Sequence, residues 1–446
     1  MTVTARLLII LAVLAAGTAA LGLVRCEGDA PLVVIDGPIW IGKEAREVTF
    51  SAEDPGSGLR HVQVFLDTAE GSRSLLETRA EAGWLLGTAD SDDPEWRFQL
   101  SGRGLPDGEA TLRVSATDWS WAHGLEGNTT EASVPVLIDT KPPRISIESG
   151  LTYVKRAGSA AVTYRLDGPA ALDGVRVGDR FFRGFPAAET GKRRIAVFAV
   201  PRDLEGSPKI SVVATDLAGN AASRSWATQF QDREFAQVPI QLPERFFENT
   251  VPELAADLGI DESDVVATFR AINEGVRASN EETISGVTRM ADEPRHFVGG
   301  FLQMRNSLVT SRFAEARSYL YGGTEVSRAT HFGYDLAATA RAPVEASNAG
   351  RVVFAQELGI YGRCVIVDHG LGVTSLYGHL SEIDVSVGDI VGRGQTLGRS
   401  GATGLAGGDH LHFAILVGGV YVDPLEWWDA RWVRDRVEAR ARGATP

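Results

Sequence analysis

Residues 364–380, CVIVDHGLGVTSLYGHL, decide the fold of the C-terminal part of this 446-residue chain. Cys364–Asp368 and Val373–Tyr377 are two short apolar runs rich in β-branched residues, and a glycine-containing turn separates them. Short runs of this kind, bounded by turn residues, are typical of β-strands. The stretch therefore predicts a small β domain.

The same pattern extends in both directions from this stretch, from about Phe297 to Trp428. Arg351–Ala355 and Leu411–Leu416 are further short apolar runs with glycine-containing turns between them. We therefore expect a β domain over residues 297–430. Residues 431–446 are rich in Arg, Glu and Ala, which predicts a helix or tail without recognisable chemistry.

The front half of the chain has a second β pattern, from about Pro31 to Phe230. Clusters of Gly, Pro, Asp and Ser separate short alternating or β-branched runs, which favours β-sandwiches. The clearest runs are Glu47–Ala52, His61–Leu66, Thr111–Ala116 and Ile210–Ala214.

A weak internal repeat divides this region in two. Val114–Asp118 (VSATD) recurs as Val212–Asp216 (VVATD), and the second copy is followed by the turn Leu217–Asn220. With the proline-containing linker Asp139–Pro143, these motifs resemble the junction between tandem bacterial immunoglobulin-like domains. The resemblance implies two immunoglobulin-like modules, over residues 31–140 and 141–230.

Residues 243–292 change character and have helical spacing. Cap-type residues such as Asp261 and Asn280 stand at the expected starts of helices. We expect a helical linker over residues 231–296. The alternative is a regulatory segment that packs on the following domain.

Composition limits the partners of the chain. Its formal net charge is -14, which argues against a nucleic-acid partner because phosphate binding requires Lys and Arg. The two cysteines, Cys26 and Cys364, are too few for a disulfide framework or a cysteine-rich zinc site.

The N-terminus, residues 1–30, carries an export signal. Leu7–Val24 (LLIILAVLAAGTAALGLV) is free of charge, with Arg6 before it and Arg25 after it. Its length is at the short end of a bilayer-spanning helix. We expect either a signal anchor in the inner membrane, which we favour, or a signal peptide cleaved near residues 17–19. Both place the rest of the chain in the periplasm or cell envelope.

Histidines are concentrated in the C-terminal domain, in patterns that suggest a metal site. His331 and Asp335 are four residues apart, and His410 and His412 alternate within an apolar run, so both imidazoles point to one face of a strand. His379 ends another strand. A catalytic zinc needs three protein ligands and one open position. His331, Asp335 and one of the two alternating histidines would supply that set, and the remaining histidines would be free for proton transfer.

The combination of motifs over residues 305–428 resembles the lysostaphin/LytM-type zinc metallopeptidases, which cleave peptide bridges in bacterial peptidoglycan. The stretches that carry the resemblance are Thr310–Phe313, His331-x-Gly333-x-Asp335, Ala342–Val344, Gly350–Ala355, Asp368–Gly370, Tyr377–Ser381, Val387–Asp389, Gly394-Gln395, Gly401–Gly404, His410–Phe413 and Val422–Pro424.

The resemblance implies one Zn²⁺ held by His331, Asp335 and His412, with His379 and His410 as catalytic histidines and peptidoglycan as substrate. It also implies a small antiparallel β metallopeptidase domain, so that the chain as a whole is mainly β.

The chain departs from the family at two positions. Asp409 stands where the family often has a small residue or Pro, and Ala414 stands where a Glu is common. Neither is a ligand position, so the departures concern substrate contacts. His369 lies in an Asp-His-Gly turn that the family also shows, and we expect it to be structural.

Three further residues are weaker candidates. The family usually has a Tyr before the first ligand that helps to stabilise the oxyanion, and Tyr319 or Tyr321 could serve here. Asn306 could act as an inhibitory fourth ligand, as in latent members of the family.

Two functions are compatible with this site. The first is an active peptidoglycan endopeptidase. The alternative is an inactive relative that regulates or activates other cell-wall hydrolases through a protein partner. Inactive relatives lose one or more site residues, whereas this chain keeps all five, which favours the enzyme.

Overall fold

The structure is a computed structural model that describes residues 3–79, 95–187, 191–261, 264–289 and 294–442. The chain is mainly β, as predicted. The last residues of the predicted tail, 443–446, and the end of the predicted helical region at 290–292 lie outside the described residues.

The chain forms two compact units. The first comprises residues 1–143 and 215–221, and the second comprises residues 144–214 and 222–446. The first unit begins with helix α1 (Val3–Arg25). Among the residues that the structure describes, no helix is both long and apolar enough to cross a membrane.

The rest of the first unit consists of two sheets. Its elements are β1 (Leu32–Val34), β2 (Ile39–Ile41), β3 (Arg46–Glu53), β4 (Leu59–Thr68), β5 (Gly71–Arg79), β6 (Glu95–Leu100), β7 (Gly108–Asp118), the turn α2 (Ala122–Leu125) and β8 (Thr129–Ile138). The strand orders are β2-β8-β7-β4-β5 and β1-β3-β6. Alternate residues of β7, among them Leu112 and Val114, are fully buried, as expected for strands with one face on a core.

The second unit begins with a further set of short strands. They are β9 (Arg144–Ile147), β10 (Thr152–Lys155), β11 (Ser159–Asp167), β12 (Leu172–Val177), β13 (Arg180–Arg183), β14 (Phe185–Pro186), β15 (Arg193–Ala199), β16 (Ile210–Thr215), β17 (Ala221–Arg224) and β18 (Thr228–Gln231). Two four-stranded sheets have the orders β14-β15-β11-β9 and β13-β12-β16-β17. The immunoglobulin-like character of this region and of the first unit stays a prediction.

A helical segment follows. Its elements are β19 (Gln237–Gln241), a π-helical turn (Phe246–Thr250), α3 (Val251–Leu258), α4 (Val265–Arg270), a second π-helical turn (Ala271–Val276) and α5 (Arg277–Thr288). The cap of α4 is Asp264, whose carboxylate accepts from the backbone N–H of Val266 and Ala267. The prediction that Asn280 caps a helix is wrong. Asn280 lies within α5, and its side chain accepts a hydrogen bond from Ile360 N–H.

The predicted peptidase domain is built on one large antiparallel sheet with the order β20-β23-β31-β27-β26-β25-β29, and β32 pairs with β31. Two three-stranded sheets, β19-β21-β22 and β24-β30-β28, flank it. The strands are β20 (Leu308–Ser311), β21 (Ala316–Tyr321), β22 (Thr324–Thr330), β23 (Tyr334–Ala337), β24 (Pro343–Glu345), β25 (Gly350–Glu357), β26 (Arg363–Asp368), β27 (Val373–Leu380), β28 (Glu382–Ile383), β29 (Ile390–Val391), β30 (Thr396–Arg399), β31 (Leu411–Val417) and β32 (Val420–Val422).

The helical segment covers one face of the large sheet. Phe269 and Ile284 of the segment share a buried apolar cluster with Ile366, Leu376 and Leu416 of the sheet. Burying each such side chain is worth about 1.5–3 kcal/mol, so the sheet depends on this cover. The segment therefore belongs to the core of the domain rather than serving as a simple spacer. A regulatory role for it stays a prediction.

This cover gives a physical reason for the departure at Ala414. Ala414 lies on β31 and is fully buried in the cluster beneath the helical segment. A glutamate there would bury a carboxylate among apolar side chains, at a cost of several kcal/mol.

The predicted tail is helical as far as it is described. After α6 (Pro424–Trp428), which lies at the end of the predicted domain, the chain continues with α7 (Ala430–Val433), a π-helical turn (Arg434–Glu438) and α8 (Ala439–Arg442). Val433 and Val437 are fully buried, and the guanidinium of Arg440 donates to Thr152 Oγ1. The tail therefore packs onto the front strands of the second unit.

Candidate metal centre

Three predicted ligands meet on neighbouring strands of the large sheet. Asp335 on β23 and His412 on β31 are directly opposite each other in the antiparallel register. His331 lies just before β23. Because residues opposite each other across an antiparallel pair have close side chains, the register brings together groups that are 77 residues apart in sequence.

The donor atoms converge on one point. His331 Nε2 lies 2.9 Å from Asp335 Oδ1 and 3.1 Å from His412 Nδ1, and His412 Nδ1 lies 3.0 Å from Asp335 Oδ1. All three side chains are buried. Zinc at about 2.0–2.1 Å from three tetrahedral donors separates those donors by about 3.3 Å, close to the separations seen here.

The hydrogen bonds at the far side of His331 fix its tautomer. Its Nδ1 lies 2.9 Å from the backbone carbonyl of Arg312, and a carbonyl only accepts, so Nδ1 carries the proton. In the neutral ring, Nε2 then presents a lone pair to Asp335 and His412. His412 is oriented the other way, with Nδ1 toward the cluster and a buried Nε2 that has no hydrogen-bond partner within the described residues.

His379 and His410 lie beside this cluster. Their rings are 4.8 Å apart, and the ring of His379 is 5.8 Å from that of His412. His379 Nδ1 donates to Thr403 O and His410 Nδ1 donates to Gly408 O, both at 2.8 Å. Each neutral ring therefore keeps Nε2 unprotonated, and His410 Nε2 lies 3.7 Å from Asp335 Oδ1.

The backbone at His379 is unusual. Its φ of 62° is in the left-handed region that non-glycine residues seldom adopt. Such strain persists only where surrounding contacts hold it, and it is concentrated at functional sites. The sheet register through Gly378, which is opposite His412, supplies that constraint.

Asp335 is held in its charged form. Burial opposes ionisation, but the neighbouring His331 and His412 outweigh it and keep the pKa of Asp335 well below its usual value. Arg317 on β21 adds an ion pair to the second carboxylate oxygen, Oδ2, at 3.2 Å. Oδ1 is left to face the cluster.

Burial favours the neutral form of two of the imidazoles. Burial lowers the pKa of His412 to about 4. Burial and the neighbouring His410 and His412 hold the pKa of His379 well below its usual value. Neutral imidazole and ionised carboxylate are the states that bind zinc, so the donor set fits that ion.

Gly333 brings the two ligand-bearing segments together. A Cβ at this position would lie 2.6 Å from His412 Nε2 and from Phe413 O, so only glycine fits. The backbone at Gly333 thus lies against the ring of His412.

A cleft of about 510 Å³ opens over the cluster. One wall comes from the helical segment, including Arg245, Phe246 and Arg277, and another from the loop Leu405–Gly407. His379 and His410 line the same cleft as the three predicted ligands. The structure therefore brings all five predicted site residues to one cavity.

The weaker candidates are distributed differently. Tyr319 lines the cleft, whereas Tyr321 packs on the ring of Phe247. Asn306 is exposed and is not one of the residues that line the cleft. The carboxylate of Asp409 accepts from Ser400 Oγ and from Arg341 N–H, so this departure from the family has a structural role.

Two residues of the site were missed from the sequence. Arg317 holds Asp335 from the neighbouring sheet, and a single arginine in a strand gives no signal of such a role. Tyr361 packs its ring 5.4 Å from the ring of His412 and donates to Glu281 on α5. Its glycine-flanked position, Gly359–Gly362, was the available signal.

The fold and site together define a small antiparallel β domain with a His-Asp-His donor set and two further histidines at the same cavity. Residues 329–424 match the sequence model of Peptidase family M23, and this part of the chain is a domain of that family.

Curated relatives match the same part of the chain. DD-carboxypeptidase/endopeptidase Mpg of Neisseria meningitidis is 39% identical over 95 residues, which is 21% of this chain and 22% of the relative. Peptidoglycan DD-endopeptidase ShyA of Vibrio cholerae is 39% identical over 98 residues, 22% of this chain and 23% of the relative. Stage II sporulation protein Q of Bacillus subtilis is 39% identical over 88 residues, 19% of this chain and 31% of the relative. The match thus spans between a fifth and a third of these proteins.

Proposed function

We propose that the chain is a zinc-dependent endopeptidase that hydrolyses peptide cross-links or stem peptides of bacterial peptidoglycan. The convergence of His331 Nε2, Asp335 Oδ1 and His412 Nδ1 within 3.1 Å, in a cleft that His379 and His410 also line, carries the proposal. One relative of the matching stretch is named a peptidoglycan DD-endopeptidase and another a DD-carboxypeptidase/endopeptidase, which supports peptidoglycan as the substrate.

His331, Asp335 and His412 would hold the zinc ion. The bound ion supplies Lewis acidity toward water and toward a carbonyl oxygen. His379 and His410 each present an unprotonated Nε2 to the cleft, so either ring can take up a proton from the attacking water. The protonated ring can then donate to the leaving amine.

The carbonyl oxygens of Thr403 and Gly408 stabilise those protonated rings. Each carbonyl accepts from Nδ1–H of its histidine, which fixes the ring plane and favours the imidazolium form as it develops. The low pKa of His379 makes it a ready proton donor once charged.

The inactive alternative is a regulator that uses the same fold. One relative is named a sporulation protein rather than a peptidase, so the domain alone does not decide activity. The presence of all five predicted site residues at one cleft favours the enzyme over the regulator.

We also propose that the chain acts outside the cytoplasm, held at the inner membrane through residues 7–24. The uncharged 18-residue run with a flanking arginine on each side supports this location. Peptidoglycan is then the polymer within reach.

The test uses the purified full chain and measures zinc per chain and cleavage of peptidoglycan by mass spectrometry. We expect His379→Ala and His410→Ala to keep zinc and lose cleavage. His61→Gln, a histidine of the first unit ion-paired with Glu77, serves as the matched control and should keep both. Zinc-loaded chain that releases no fragment would overturn the enzyme and favour the regulator.

A further inference from the structure

A short 3₁₀ turn, Gly359–Tyr361, between β25 and β26 is held by two successive residues of α5. Asn280 Oδ1 accepts from the backbone N–H of Ile360 at 2.9 Å, and Glu281 Oε1 accepts from Tyr361 Oη at 2.6 Å. Asn280, Ile360 and Tyr361 are buried, and a Cβ on the first residue of the turn would lie 2.5 Å from Asn280 Oδ1. The helical segment thus fixes the position of this turn by polar contacts as well as by apolar packing.

One side of the turn packs on the predicted metal ligands. The ring of Tyr361 lies 5.4 Å from the ring of His412. Its hydroxyl lies 3.3 Å from Tyr421 Oη, and the ring of Tyr421 stacks at 4.8 Å on Phe332, the residue that follows His331. The tie between the turn and α5 therefore reaches two of the three predicted ligands through aromatic rings in contact.

The other side of the turn supports the loop that holds His379. The carbonyl of Ile360 accepts from the backbone N–H of Leu405 at 2.9 Å, and the backbone N–H of Arg363 donates to Thr403 Oγ1 at 3.0 Å. Thr403 O in turn accepts from His379 Nδ1 at 2.8 Å. The turn therefore connects the helical segment both to a predicted ligand and to a histidine that is proposed to transfer protons.

We propose that Asn280 and Glu281 are positioning residues for the metal centre, and that they act through the turn on His412 and on His379. This inference deepens the proposed function and rests on it. Neither positioning residue is among the described residues that line the cleft. Hydrogen bonds fix a direction and a distance, whereas apolar side chains tolerate repacking, so these two contacts hold the imidazole rings in the geometry that catalysis needs.

The test measures the zinc affinity of the purified full chain, by competition with a chelator, and its kcat and KM for a defined cross-linked muropeptide. Glu281→Ala should lower both zinc affinity and kcat about 10-fold, because the groups that orient a ligand control both. KM should stay within about 2-fold, since Glu281 does not line the cleft. Glu281→Gln should retain most of both properties, because its amide oxygen can still accept from Tyr361 Oη.

Two further variants separate the contacts of the turn. Tyr361→Phe keeps the ring beside His412 and the neighbouring carboxylate and removes only the hydroxyl, so it should lower zinc affinity and kcat in the same direction as Glu281→Ala. Asn280→Ala should lower kcat about 10-fold through the loop that holds the catalytic histidine. Glu282→Ala is the matched control, because Glu282 is the next residue of α5 and is exposed. It should change either property by less than about 2-fold.

A merely structural role would lower the free energy of unfolding and leave the zinc affinity and kcat of the folded chain at the values of Glu282→Ala. That result in both Glu281→Ala and Asn280→Ala would overturn the inference and leave the peptidase intact. Tyr361→Phe decides in the same way if either alanine variant does not fold. Zinc-loaded original chain that cleaves no muropeptide would overturn the proposed function, whereas the zinc affinities of the variants would still test the positioning.

Discussion

Two buried histidine clusters on the same sheet differ in how their nitrogens are satisfied. His369 donates from Nδ1 to Ala349 O at 2.7 Å, and its Nε2 lies 2.7 Å from Ser375 Oγ. Ser375 Oγ in turn lies 2.9 Å from Tyr377 Oη. At the cleft, by contrast, His331 and His412 both turn nitrogens toward one carboxylate oxygen, and His412 Nε2 has no partner among the described residues.

Under the proposed function, this difference separates a structural histidine from one that would bind a metal ion. Around His369 each acceptor has a donor, so the network is complete without any other group. At the cleft, three atoms that can accept a hydrogen bond converge: Asp335 Oδ1, His331 Nε2 and His412 Nδ1. One shared proton leaves at least one of their three contacts without a donor. A cation would complete that cluster, as the proposed function requires, and burial alone does not distinguish the two cases because His369 and His412 are both buried.

The largest expected effect comes from removing one histidine of each cluster. His412→Ala should remove zinc from the chain and lower cleavage by at least about 1,000-fold. The substitution removes one of the three proposed protein ligands, and activation of the attacking water depends on the bound ion. His369→Gln should keep both zinc and cleavage. Elemental analysis and digestion of peptidoglycan measure the two properties, and zinc retained by His412→Ala would remove the distinction between the clusters.

The pH dependence of stability gives the second largest effect. Burial lowers the pKa of His369 to about 4, from a usual value of 6.5. As the pH falls, His369 therefore takes up a proton in the unfolded chain before it does so in the folded chain. Its contribution to the free energy of unfolding is complete above pH 6.5 and is lost as the pH falls toward 4. The loss is roughly 3 kcal/mol for such a pKa difference.

The free energy of unfolding should therefore fall by about that amount less between pH 6.5 and pH 4 when His369 is replaced by Gln. Urea unfolding of the zinc-free chain at several pH values measures it. If the free energy of unfolding depended on pH in the same way in both chains, His369 would not be buried in its neutral form.

Arg317→Gln tests the support of the metal-binding cluster. The guanidinium holds Asp335 Oδ2 at 3.2 Å, so its loss should weaken zinc binding about 10- to 100-fold without removing a ligand. Competition with a chelator measures the affinity. Arg328→Gln is the control, since Arg328 on β22 is exposed and paired with Glu325. Equal affinities in the two variants would exclude a supporting role for Arg317.

The strands and the three motifs that contain the site histidines could be predicted from the sequence because they depend on local patterns. Cys364–Asp368 and Val373–Tyr377 lie within strands, as predicted, and a turn with two glycines separates them. The alternation in His410-Leu411-His412 correctly places both imidazoles on one face of the chain. Period-2 spacing carries this information within a few residues.

The residues that support the site could not be predicted from the sequence, because their roles depend on pairing between distant segments. Nothing near Arg317 in sequence indicates that β21 brings it to Asp335. The helical segment was expected to be a linker, since amphipathic spacing does not reveal which surface its apolar side packs on. Ala414 was the one local indication of this packing, because a small residue on the sheet leaves room for the helical segment to pack against it.

The smallest expected effect comes from making the His369 cluster incomplete. Ser375→Ala removes the hydroxyl beside His369 Nε2 and leaves that nitrogen buried without a partner, as His412 Nε2 already is. An unsatisfied buried group costs about 1–3 kcal/mol, so unfolding should become easier by that amount while zinc affinity stays the same. Ser386→Ala, at an exposed serine, should change stability by less than about 0.5 kcal/mol. Loss of zinc affinity in Ser375→Ala would mean that the two clusters are coupled through the sheet, and the contrast between a self-sufficient and a cation-dependent cluster would then be wrong.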